Sequence, residues 1–353
     1  MSLNSLVIQN LRNIIDIYLK PSPRLNFISG ANGSGKTTIL EAIYLLGRGR
    51  SFRSGSNKKV IRYGEETLIL FSNINNHQNN NNLGIQIKNS QLQAKLNGQF
   101  LKKTSDLALI IPLLLITSDG DKLIKGSPRQ RRRFLDWGLF HVEHKFLEVW
   151  QRYNRVLAQR NIALRQSNIL LATWNTQLIE VANELNRQRE IYANELACMT
   201  KICFKELIDI DFVEFKYISG WNKDQTFGES LLTHIKNDIK AGFTQRGPHR
   251  ADLIMQINGR PASEFLSGGQ QKLAACALFL AQARLYFKKL NKPCTLLVDD
   301  LAAELDSKHR KALLDVLYSI NAQVFITSTE LSSFDLSSYE NTKVFHVEHG
   351  CLI

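Results

Sequence analysis

The stretch Gly30-Ala31-Asn32-Gly33-Ser34-Gly35-Lys36-Thr37 matches the pattern G-x-x-x-x-G-K-[ST] of a phosphate-binding loop. It lies where such a loop must lie, because the apolar run 25–28 precedes it and a helical segment, 38–46, follows it. Glycines let successive backbone N–H groups surround a phosphate, and the helix N-terminus adds its positive dipole end. The stretch therefore predicts an α/β fold that binds a nucleoside triphosphate.

The loop predicts ATP and Mg²⁺ as the cofactors. We expect Lys36 to reach the β- and γ-phosphates and Thr37 to ligate Mg²⁺. The nucleotide-binding residues predicted here are Gly30, Ala31, Asn32, Gly33, Ser34, Gly35, Lys36, Thr37 and Thr38.

A second candidate element is the apolar run 295–298, which ends in the paired carboxylates Asp299 and Asp300. Ligands of parallel sheets lie at the carboxyl ends of the strands, so Asp299 is predicted to hold Mg²⁺ and Asp300 to polarise the attacking water. Alone, such an ending is equally typical of a surface turn. A phosphate-binding loop in the same chain favours the catalytic interpretation.

The third element is the segment Leu266-Ser267-Gly268-Gly269-Gln270, which precedes a helix rich in Ala and Leu. Ser267 is predicted to cap that helix, and the glycines allow a phosphate to approach closely. Taken alone, the glycine pair is typical of a flexible loop.

The order of these motifs is that of the ABC ATPases, in which two heads enclose two ATP molecules. Each phosphate-binding loop then faces the LSGGQ segment of the other head. The order therefore predicts the candidate catalytic residues Lys36, Asp299, Asp300 and Ser267, and the resemblance to this class implies an ATP-dependent homodimer. Residues Ser267, Gly268, Gly269 and Gln270 are expected to contact the nucleotide of the opposite subunit.

The rest of the chain predicts an ABC-type ATPase head with a helical insertion. A mixed sheet carries the phosphate-binding loop, and segments 67–73, 84–88 and 92–97 predict an antiparallel β subdomain. Residues 119–207 are assigned to a basic helical arm, and residues 1–118 and 208–353 to a discontinuous head. The polar run 75–82 is predicted to be a disordered loop, 110–117 a strand, and 167–168 a turn between two long helices.

The formal net charge is +13, from 45 Lys and Arg against 32 Asp and Glu, which favours a polyanionic partner. Residues 122–165 hold eleven basic and three acidic residues, a net of +8. The candidate phosphate contacts along DNA are Arg129, Arg131, Arg132 and Arg133, although a solvated helix start is the alternative. No base-reading motif is visible, so binding should follow backbone and shape.

Composition also excludes several classes of protein. No uninterrupted apolar stretch reaches about 18 residues, so no membrane span is expected. Residues 1–5 carry no basic segment before an apolar one, which argues against a secretory signal and favours a cytoplasmic location. The five cysteines form no CxxC pair, and we expect them to be reduced and buried rather than to bind zinc or form disulfides.

Five stretches give the chain a resemblance to the RecF family of bacterial recombinational-repair proteins, which is related to the SMC and Rad50 ATPase heads. They are Leu11-Arg12-Asn13, 126–136, 247–252, 266–273 and 298–306, and the resemblance runs from about residue 3 to 350. The stretches 126–136 and 247–252 are similar to signatures of the family itself.

This resemblance implies a weak, DNA-dependent ATPase that binds double-stranded DNA and gaps or single-strand/duplex junctions. It also implies partnership with RecO and RecR in loading recombinase, and a place in replication, DNA repair and the SOS response. The alternatives are an ABC transporter subunit, against which the arginine-rich insertion argues, and an SMC or Rad50-like structural head. The latter needs a coiled coil far longer than the roughly 70 helical residues available here.

The chain departs from the expected patterns at several positions. Ala251 stands where the family's Gly-Pro-His-Arg is usually followed by an acid. The run 324–327 is followed by Ser328 and Thr329 rather than by a switch histidine, and no Q-loop glutamine follows 116–118. Asp300 stands where most ABC ATPases carry the longer Glu. We therefore expect slow hydrolysis, since displacing a base by about 1 Å can lower the rate about a hundredfold.

Overall fold

The computed structural model describes residues 2–55, 57–76, 79–166, 170–208, 210, 213–300 and 305–353. The strands are β1 (Ser2–Leu11), β2 (Ile14–Leu19), β3 (Leu25–Ser29), β4 (Thr67–Asn76), β5 (Asn79–Lys88), β6 (Gln91–Leu96), β7 (Gln99–Phe100), β8 (Leu113–Thr117), β9 (Val213–Ile218), β10 (Asp252–Ile257), β11 (Arg260–Pro261), β12 (Cys294–Asp299), β13 (Ala322–Ser328), β14 (Thr342–Glu348) and β15 (Cys351–Leu352). The helices are α1 (Lys36–Arg48), α2 (Thr104–Ile110), α3 (Lys122–Lys125), α4 (Pro128–Val142), α5 (Phe146–Gln166), α6 (Leu171–Leu207), α7 (Phe227–Thr233), α8 (Ile235–Ala241), α9 (Ala262–Phe265), α10 (Gly268–Leu290) and α11 (Ser307–Ser319).

The chain divides into two compact units. The first comprises Met1–Gly120, Glu206–Ile208 and Cys276–Ile353, and the second comprises Asp121–Lys205 and Asp209–Ala275. This division differs from the predicted domains, because 209–275 lie with the helices rather than with the head. The reason is local packing: β9 pairs with β10, and β10 is joined to α4 by the Arg131–Asp252 ion pair.

The mixed sheet of the first unit has the order β15-β14-β3-β13-β12-β8. Strands β14, β3, β13, β12 and β8 run parallel, and β3 is buried along its whole length. Parallel register brings their carboxyl ends to one edge, where Ser29 lies opposite Ser328, and Asp299 opposite Thr117. The predicted α/β fold is confirmed, and this edge is where the phosphate-binding loop begins.

A six-stranded sheet in the order β2-β1-β4-β5-β6-β7 completes the first unit. Its buried face shares one apolar core with α1 and with residues of the mixed sheet, including Ile39, Ile43, Leu70 and Phe325. Each fully buried side chain of this size contributes about 1.5–3 kcal/mol relative to an exposed one. The position of α1, and hence of the loop before it, depends on this core.

The polar run 75–82 is not the disordered loop that we predicted. Asn75 pairs with Asn80 and Asn76 with Asn79 in the antiparallel ladder of β4 and β5, while residues 77 and 78 lie outside the described part of the chain. Buried Ile74 anchors the hairpin in the core. Backbone pairing does not require apolar side chains, so a polar composition misled the prediction.

The structure corrects two smaller predictions, and a third falls outside the described residues. The predicted strand 110–117 begins only at Leu113, because residues 104–110 form α2. The predicted turn at 167–168 falls outside the described residues, between α5 and α6. All five cysteines are free, but Cys198 and Cys351 are exposed rather than buried. Within the described residues, no helix combines the length and apolar character needed to cross a bilayer.

Arg160 on α5 is fully buried in the second unit. Its guanidinium donates to Asp238 at 2.9 Å, to the Thr244 hydroxyl at 2.6 Å and to the Asn175 amide oxygen at 2.7 Å. Desolvation lowers the pKa of Arg160, and the hydrogen bond with Asp238 opposes this effect. One of the eleven basic residues of segment 122–165 therefore serves the core and cannot contact a polyanion.

Replacing Arg160 with Met should lower the free energy of unfolding by about 3–5 kcal/mol, because Asp238 would remain buried without its partner. The matched control on the same helix is Arg152→Met, which breaks an exposed pair with Glu180 and should cost at most about 1 kcal/mol. Urea unfolding of both variants measures the difference. Equal losses would mean that Asp238 is satisfied by other groups.

Candidate nucleotide-binding site

The phosphate-binding loop depends on glycine at two positions. Gly30 has φ +150° and Gly35 φ +122°, which L side chains rarely adopt. A Cβ on Gly30 would also lie 2.2 Å from the Val347 carbonyl oxygen. Only glycine lets the loop turn out of β3, pass β14 closely and enter α1.

Asn13 supports the loop from outside the motif. Its amide nitrogen donates to the Ser34 carbonyl at 3.1 Å, and its amide oxygen accepts from the Thr38 hydroxyl at 3.2 Å. The backbone N–H of Gly350 donates to the same Ser34 carbonyl at 2.8 Å. Motif spacing could not identify Asn13; its only signal was membership of the resembling stretch 11–13. Because the Thr38 hydroxyl donates to Asn13, only the backbone of Thr38 remains to contact a nucleotide.

Lys36 lies at the start of α1 with its side chain buried. Its ammonium donates to the carbonyls of Gly30 at 2.7 Å and Ala31 at 2.9 Å. Burial lowers the pKa of Lys36, and the nearby carboxylates of Asp300 and Asp299 oppose that effect. The loop's own carbonyls therefore hold the ammonium beside the cradle into which a phosphate would fit.

Asp299, at the end of β12, meets Thr37 at the carboxyl edge of the mixed sheet. Its Oδ1 accepts from the Thr37 hydroxyl at 3.0 Å and from the Thr327 hydroxyl at 2.9 Å. Burial raises the pKa of Asp299 in spite of these hydrogen bonds. A hydroxyl and a carboxylate in contact are the hard oxygen donors that Mg²⁺ prefers, so these two residues fit the predicted metal role.

Asp300 has an unusual backbone and an orphaned oxygen. Its φ is +50°, and its N–H donates to the Thr327 hydroxyl at 2.8 Å. Its Oδ1 is buried and has no hydrogen-bond partner among the described residues. Backbone strain and a buried unpaired acceptor are features that collect at functional sites. The geometry fits a carboxylate that accepts a hydrogen bond from a water molecule. Glu304, which belongs to the resembling stretch 298–306, lies outside the described residues.

Thr327 was not identified as a site residue from the sequence. It lies on β13 between β3 and β12, and its hydroxyl joins the Asp299 carboxylate to the Asp300 backbone. The next residue, Ser328, donates its hydroxyl to the Glu330 carbonyl, and Thr329 is exposed. The end of β13 thus carries small hydroxyl side chains at the place where most ABC ATPases have a switch histidine.

A buried carboxylate lies on α1 one turn after the loop. Glu41 is fully buried and accepts hydrogen bonds from Arg12 at 2.8 and 3.1 Å and from Ser51. It also forms an ion pair with Arg53 at 3.6 Å. Arg53 is half-exposed, and its positive charge acts to lower the pKa of Asp299. Arg53 is therefore a cation near the acidic strand end that no motif indicated.

The LSGGQ segment lies in the second unit and begins α10. The Ser267 N–H donates to the Gln270 side chain at 3.0 Å, and the Gln270 N–H lies 3.4 Å from the Ser267 hydroxyl. The predicted cap is thus present as a capping box. Gly268 and Gly269 are exposed, with open space where a Cβ would lie. The helix N-terminus is open to an anion, although the Gln270 side chain is engaged in the cap.

The four candidate DNA-binding arginines on α4 divide into two pairs. Arg129 and Arg133 are exposed. Arg131 forms a two-pronged ion pair with Asp252 at 2.7 and 2.9 Å, and Arg132 donates to the Ala251 carbonyl at 2.7 Å. Arg131 and Arg132 therefore hold the segment at Ala251 and Asp252 in place, whereas Arg129 and Arg133 are available to a phosphate.

The segment 247–250 is fixed by the same neighbourhood. The His249 ring contacts the Tyr153 hydroxyl at 2.7 Å and the Thr244 carbonyl at 3.0 Å. Burial lowers the pKa of His249 to about 4, so it is neutral at physiological pH. His249 is a packed polar residue, whereas Arg250 is exposed. Ala251 is fully buried at the position where the family usually has an acid.

Comparisons with known proteins place this site in a family. Residues 2–352 match the family model described as the RecF/RecN/SMC N terminal domain. The chain is 40% identical to the DNA replication and repair protein RecF of Stutzerimonas stutzeri over 99% of this chain and 96% of that protein. The RecF protein of Pseudomonas entomophila is also 40% identical, over 99% and 97%.

Solved structures show the same similarity. The recombination mediator protein RecF with ATP, described as part of the RecFOR pathway, matches with TM-score 0.85 and 25% identity over 99% of this chain and 96% of that one. An SMC head bound to the winged-helix domain of ScpA matches with TM-score 0.64 and 16% identity, over 100% and 96%, and shows the fold alone. Both matches confirm the predicted ABC-type ATPase head.

Asp299→Asn should raise the melting temperature at pH 7 in the absence of nucleotide and metal. The pKa of Asp299 is raised in the folded state above its ordinary value of 3.8. Its contribution to stability is therefore fully present below pH 3.8 and is lost as the pH rises through the folded-state pKa. An uncharged amide avoids the loss. The gain should therefore shrink as pH falls toward 3.8.

Differential scanning calorimetry from pH 4 to 7 gives the measurement, and Asp335→Asn is the control. Hydrogen bonds from Ser337 lower the pKa of Asp335, so this control should show no gain at pH 7. A melting temperature of Asp299→Asn below that of the parent at pH 7 would contradict the assigned cost of burial.

Proposed function

The chain belongs to the RecF family, and from that premise we propose that it is an ATP-dependent DNA clamp of replication and recombinational repair. The observation that carries the proposal is the meeting of Lys36, Thr37, Asp299 and Asp300 at one sheet edge, within a match that spans the whole chain. The relatives are named for DNA replication and repair, and the solved neighbours for recombination mediation with ATP.

For the nucleotide chemistry, Thr37 and Asp299 are proposed to hold Mg²⁺, which neutralises phosphate charge when bound. Lys36 binds the β- and γ-phosphates, and the backbone of Gly30–Thr38 surrounds them. The orphaned oxygen of Asp300 accepts a hydrogen bond from a water molecule and so orients that water. Hydrolysis is proposed to be slow, because Asp is one methylene shorter than the usual Glu and β13 offers hydroxyls instead of a histidine. Its dependence on DNA is proposed from membership of the family alone.

For the assembly, the open N-terminus of α10 is proposed to contact the nucleotide of a second copy. Gly268 and Gly269 are exposed with open space beside them, so a phosphate can approach the start of α10 closely. ATP then joins the two copies, and removal of the γ-phosphate removes the contact that favours the joined state.

For the partner, double-stranded DNA and single-strand/duplex junctions are proposed, with exposed Arg129 and Arg133 on phosphates. Within that role, the protein works in the cytoplasm with RecO and RecR to help load recombinase, and it takes part in the SOS response. A structural SMC or Rad50-like role is less well supported, since α5 and α6 span only 21 and 37 residues.

Replacing Ser267 with Arg should abolish ATP-driven dimerisation and leave ATP binding by the monomer unchanged. The substitution places a bulky cation at the start of α10, where the second copy's nucleotide would lie, and does not touch the phosphate-binding loop. Sedimentation velocity with a slowly hydrolysed ATP analogue measures association, and a fluorescent ATP analogue measures monomer binding.

Lys36→Ala is the matched control, because it should lose ATP binding and dimerisation together. ADP should leave the unmodified protein monomeric. Dimerisation of Ser267→Arg like that of the parent protein, or loss of ATP binding in its monomer, would exclude the shared-site arrangement.

Reversing charge at Arg129 and Arg133 to Glu should weaken duplex binding to a similar extent for all sequences. It should also reduce the slope of log K against log salt by up to about 0.9 for each lost phosphate contact. Fluorescence anisotropy with two unrelated duplexes across a salt series gives both quantities. Arg131 is left intact, because its ion pair with Asp252 is structural.

The control is Arg187→Glu with Lys201→Glu, two exposed positions on α6 that give the same change in net charge. If this control flattens the salt slope as much as the α4 variant does, the effect comes from overall charge. The α4 surface would then not be the contact.

A further inference from the structure

The outward face of the antiparallel sheet in the first unit is unusually aromatic. A sheet with one solvated face normally alternates apolar inward and polar outward residues, and Leu68 and Leu70 on β4 follow that rule inward. On the outward side, however, Phe71 is 39% exposed, Tyr18 54% and Phe100 62%. Large exposed apolar groups gathered on one face mark an interaction surface.

The strand register places these three rings in a single row. Tyr18 pairs with Val7, Val7 with Phe71, and Phe71 with Gly84. Gly84 pairs with Lys95, and Lys95 with Phe100. Directly paired residues lie on the same face, so the row crosses all six strands and is about 24 Å long at about 4.8 Å per strand. We call this row the aromatic row.

Two lysines lie over rings of the aromatic row. The Lys95 ammonium is 4.5 Å from the centre of the Phe100 ring, and the Lys20 ammonium is 5.7 Å from that of Tyr18. Both lysines are exposed. Cations at both ends of an aromatic surface give it charge complementarity to an anionic chain that also presents flat, apolar groups.

Amide side chains flank the aromatic row on both sides. On one side, Gln9 pairs with Ile69, Ile69 with Gln86, and Gln86 with Gln93. On the other side, the Asn73 amide donates to Asn82 at 3.0 Å. Amides offer both donors and acceptors, which match the edges of unpaired bases. One carboxylate, Asp16, also lies opposite Gln9.

We propose that the aromatic row binds single-stranded nucleic acid, an inference that rests on the proposed DNA-binding function and assigns it a second surface. A base stacks on Phe71, and further bases displace the Lys20 and Lys95 side chains from the Tyr18 and Phe100 rings, which leaves both ammonium groups to contact phosphates. Base stacking on aromatic side chains beside a basic surface is how single strands are held without sequence preference. A duplex cannot bind in this way, because its bases are already stacked on each other. An acidic protein segment is the alternative occupant. Its side chains would need pockets to bind, whereas flat rings flanked by amides suit the flat faces and polar edges of bases.

Phe71→Ala should weaken binding of a fluorescent oligothymidylate about five- to hundredfold. Fluorescence anisotropy with the full chain, in the absence of ATP and ADP, measures this affinity. Phe71→Tyr keeps the ring and should bind like the parent protein. The matched control is Tyr63→Ala, which removes a fully exposed aromatic side chain outside the row and should change nothing. Melting temperatures of all variants confirm that they are folded.

A positional readout comes from photocrosslinking. An oligonucleotide carrying 5-iodouracil should crosslink to peptides that contain Tyr18, Phe71 or Phe100. Unchanged affinity of Phe71→Ala, an equal loss in Tyr63→Ala, or crosslinks confined to other peptides would each overturn the inference and leave an acidic protein as the candidate occupant.

Duplex binding separates this inference from the proposed function. Phe71→Ala should bind duplex DNA like the parent protein. If the parent binds duplex but not oligothymidylate, the inference fails and the proposed function stands. If it binds oligothymidylate through Phe71 but shows no duplex binding with ATP, the duplex clamp fails and the aromatic row stands.

Discussion

The carboxylate of Asp299 accepts hydrogen bonds from Thr37 and Thr327, and this contact ties the ends of two neighbouring parallel strands, β12 and β13, to the start of α1. The contact places the acid beside the phosphate-binding loop at the only sheet edge where strand ends and a helix N-terminus coincide in such folds. It also carries a cost, since burial raises the pKa of Asp299 and disfavours its ionised form. A bound cation would offset that cost, so occupancy of the site and stability of the first unit are coupled. Strain at Asp300 and its orphaned oxygen belong to the same arrangement, because Thr327 fixes the backbone there.

Several of the chain's arginines form ion pairs that hold the structure together. Arg160 is buried against Asp238, Arg189 is paired with Asp136, Arg131 with Asp252, and Arg12 with Glu41. Arg189 also donates to the Pro248 carbonyl, so the loop before β10 rests on arginines from two helices. Basic residues that sequence reasoning groups together thus divide by burial. Those left exposed near this loop, including Arg129, Arg133 and Arg250, form a smaller cationic surface than net charge suggests.

Features that depend on local backbone chemistry could be predicted from the sequence. The phosphate-binding loop, the capped start of α10 and the acidic end of β12 each have their requirements within eight residues, and all three lie as expected. Features that depend on distant contacts could not be predicted. Asn13 meets the loop some twenty residues later, and Thr327 on β13 meets Asp299 on the neighbouring strand β12, 28 residues away along the chain. The hairpin through Asn75 and Asn80 was missed because composition was used where backbone pairing decides. The assignment of 209–275 to the second unit follows from ion pairs such as Arg131–Asp252, which no pattern along the chain reveals.

Whether ATP controls a DNA-binding state can be measured as duplex binding by the purified protein in three nucleotide states. Anisotropy titrations with a labelled duplex should be carried out at one salt concentration with a slowly hydrolysed ATP analogue, with ADP and without nucleotide. In the proposed dimer, DNA would contact two copies of each basic surface, whereas a monomer offers one. We predict that the protein binds the duplex markedly more tightly with the ATP analogue than with ADP or without nucleotide, and that the last two affinities are similar. Equal affinity in all three states would contradict it.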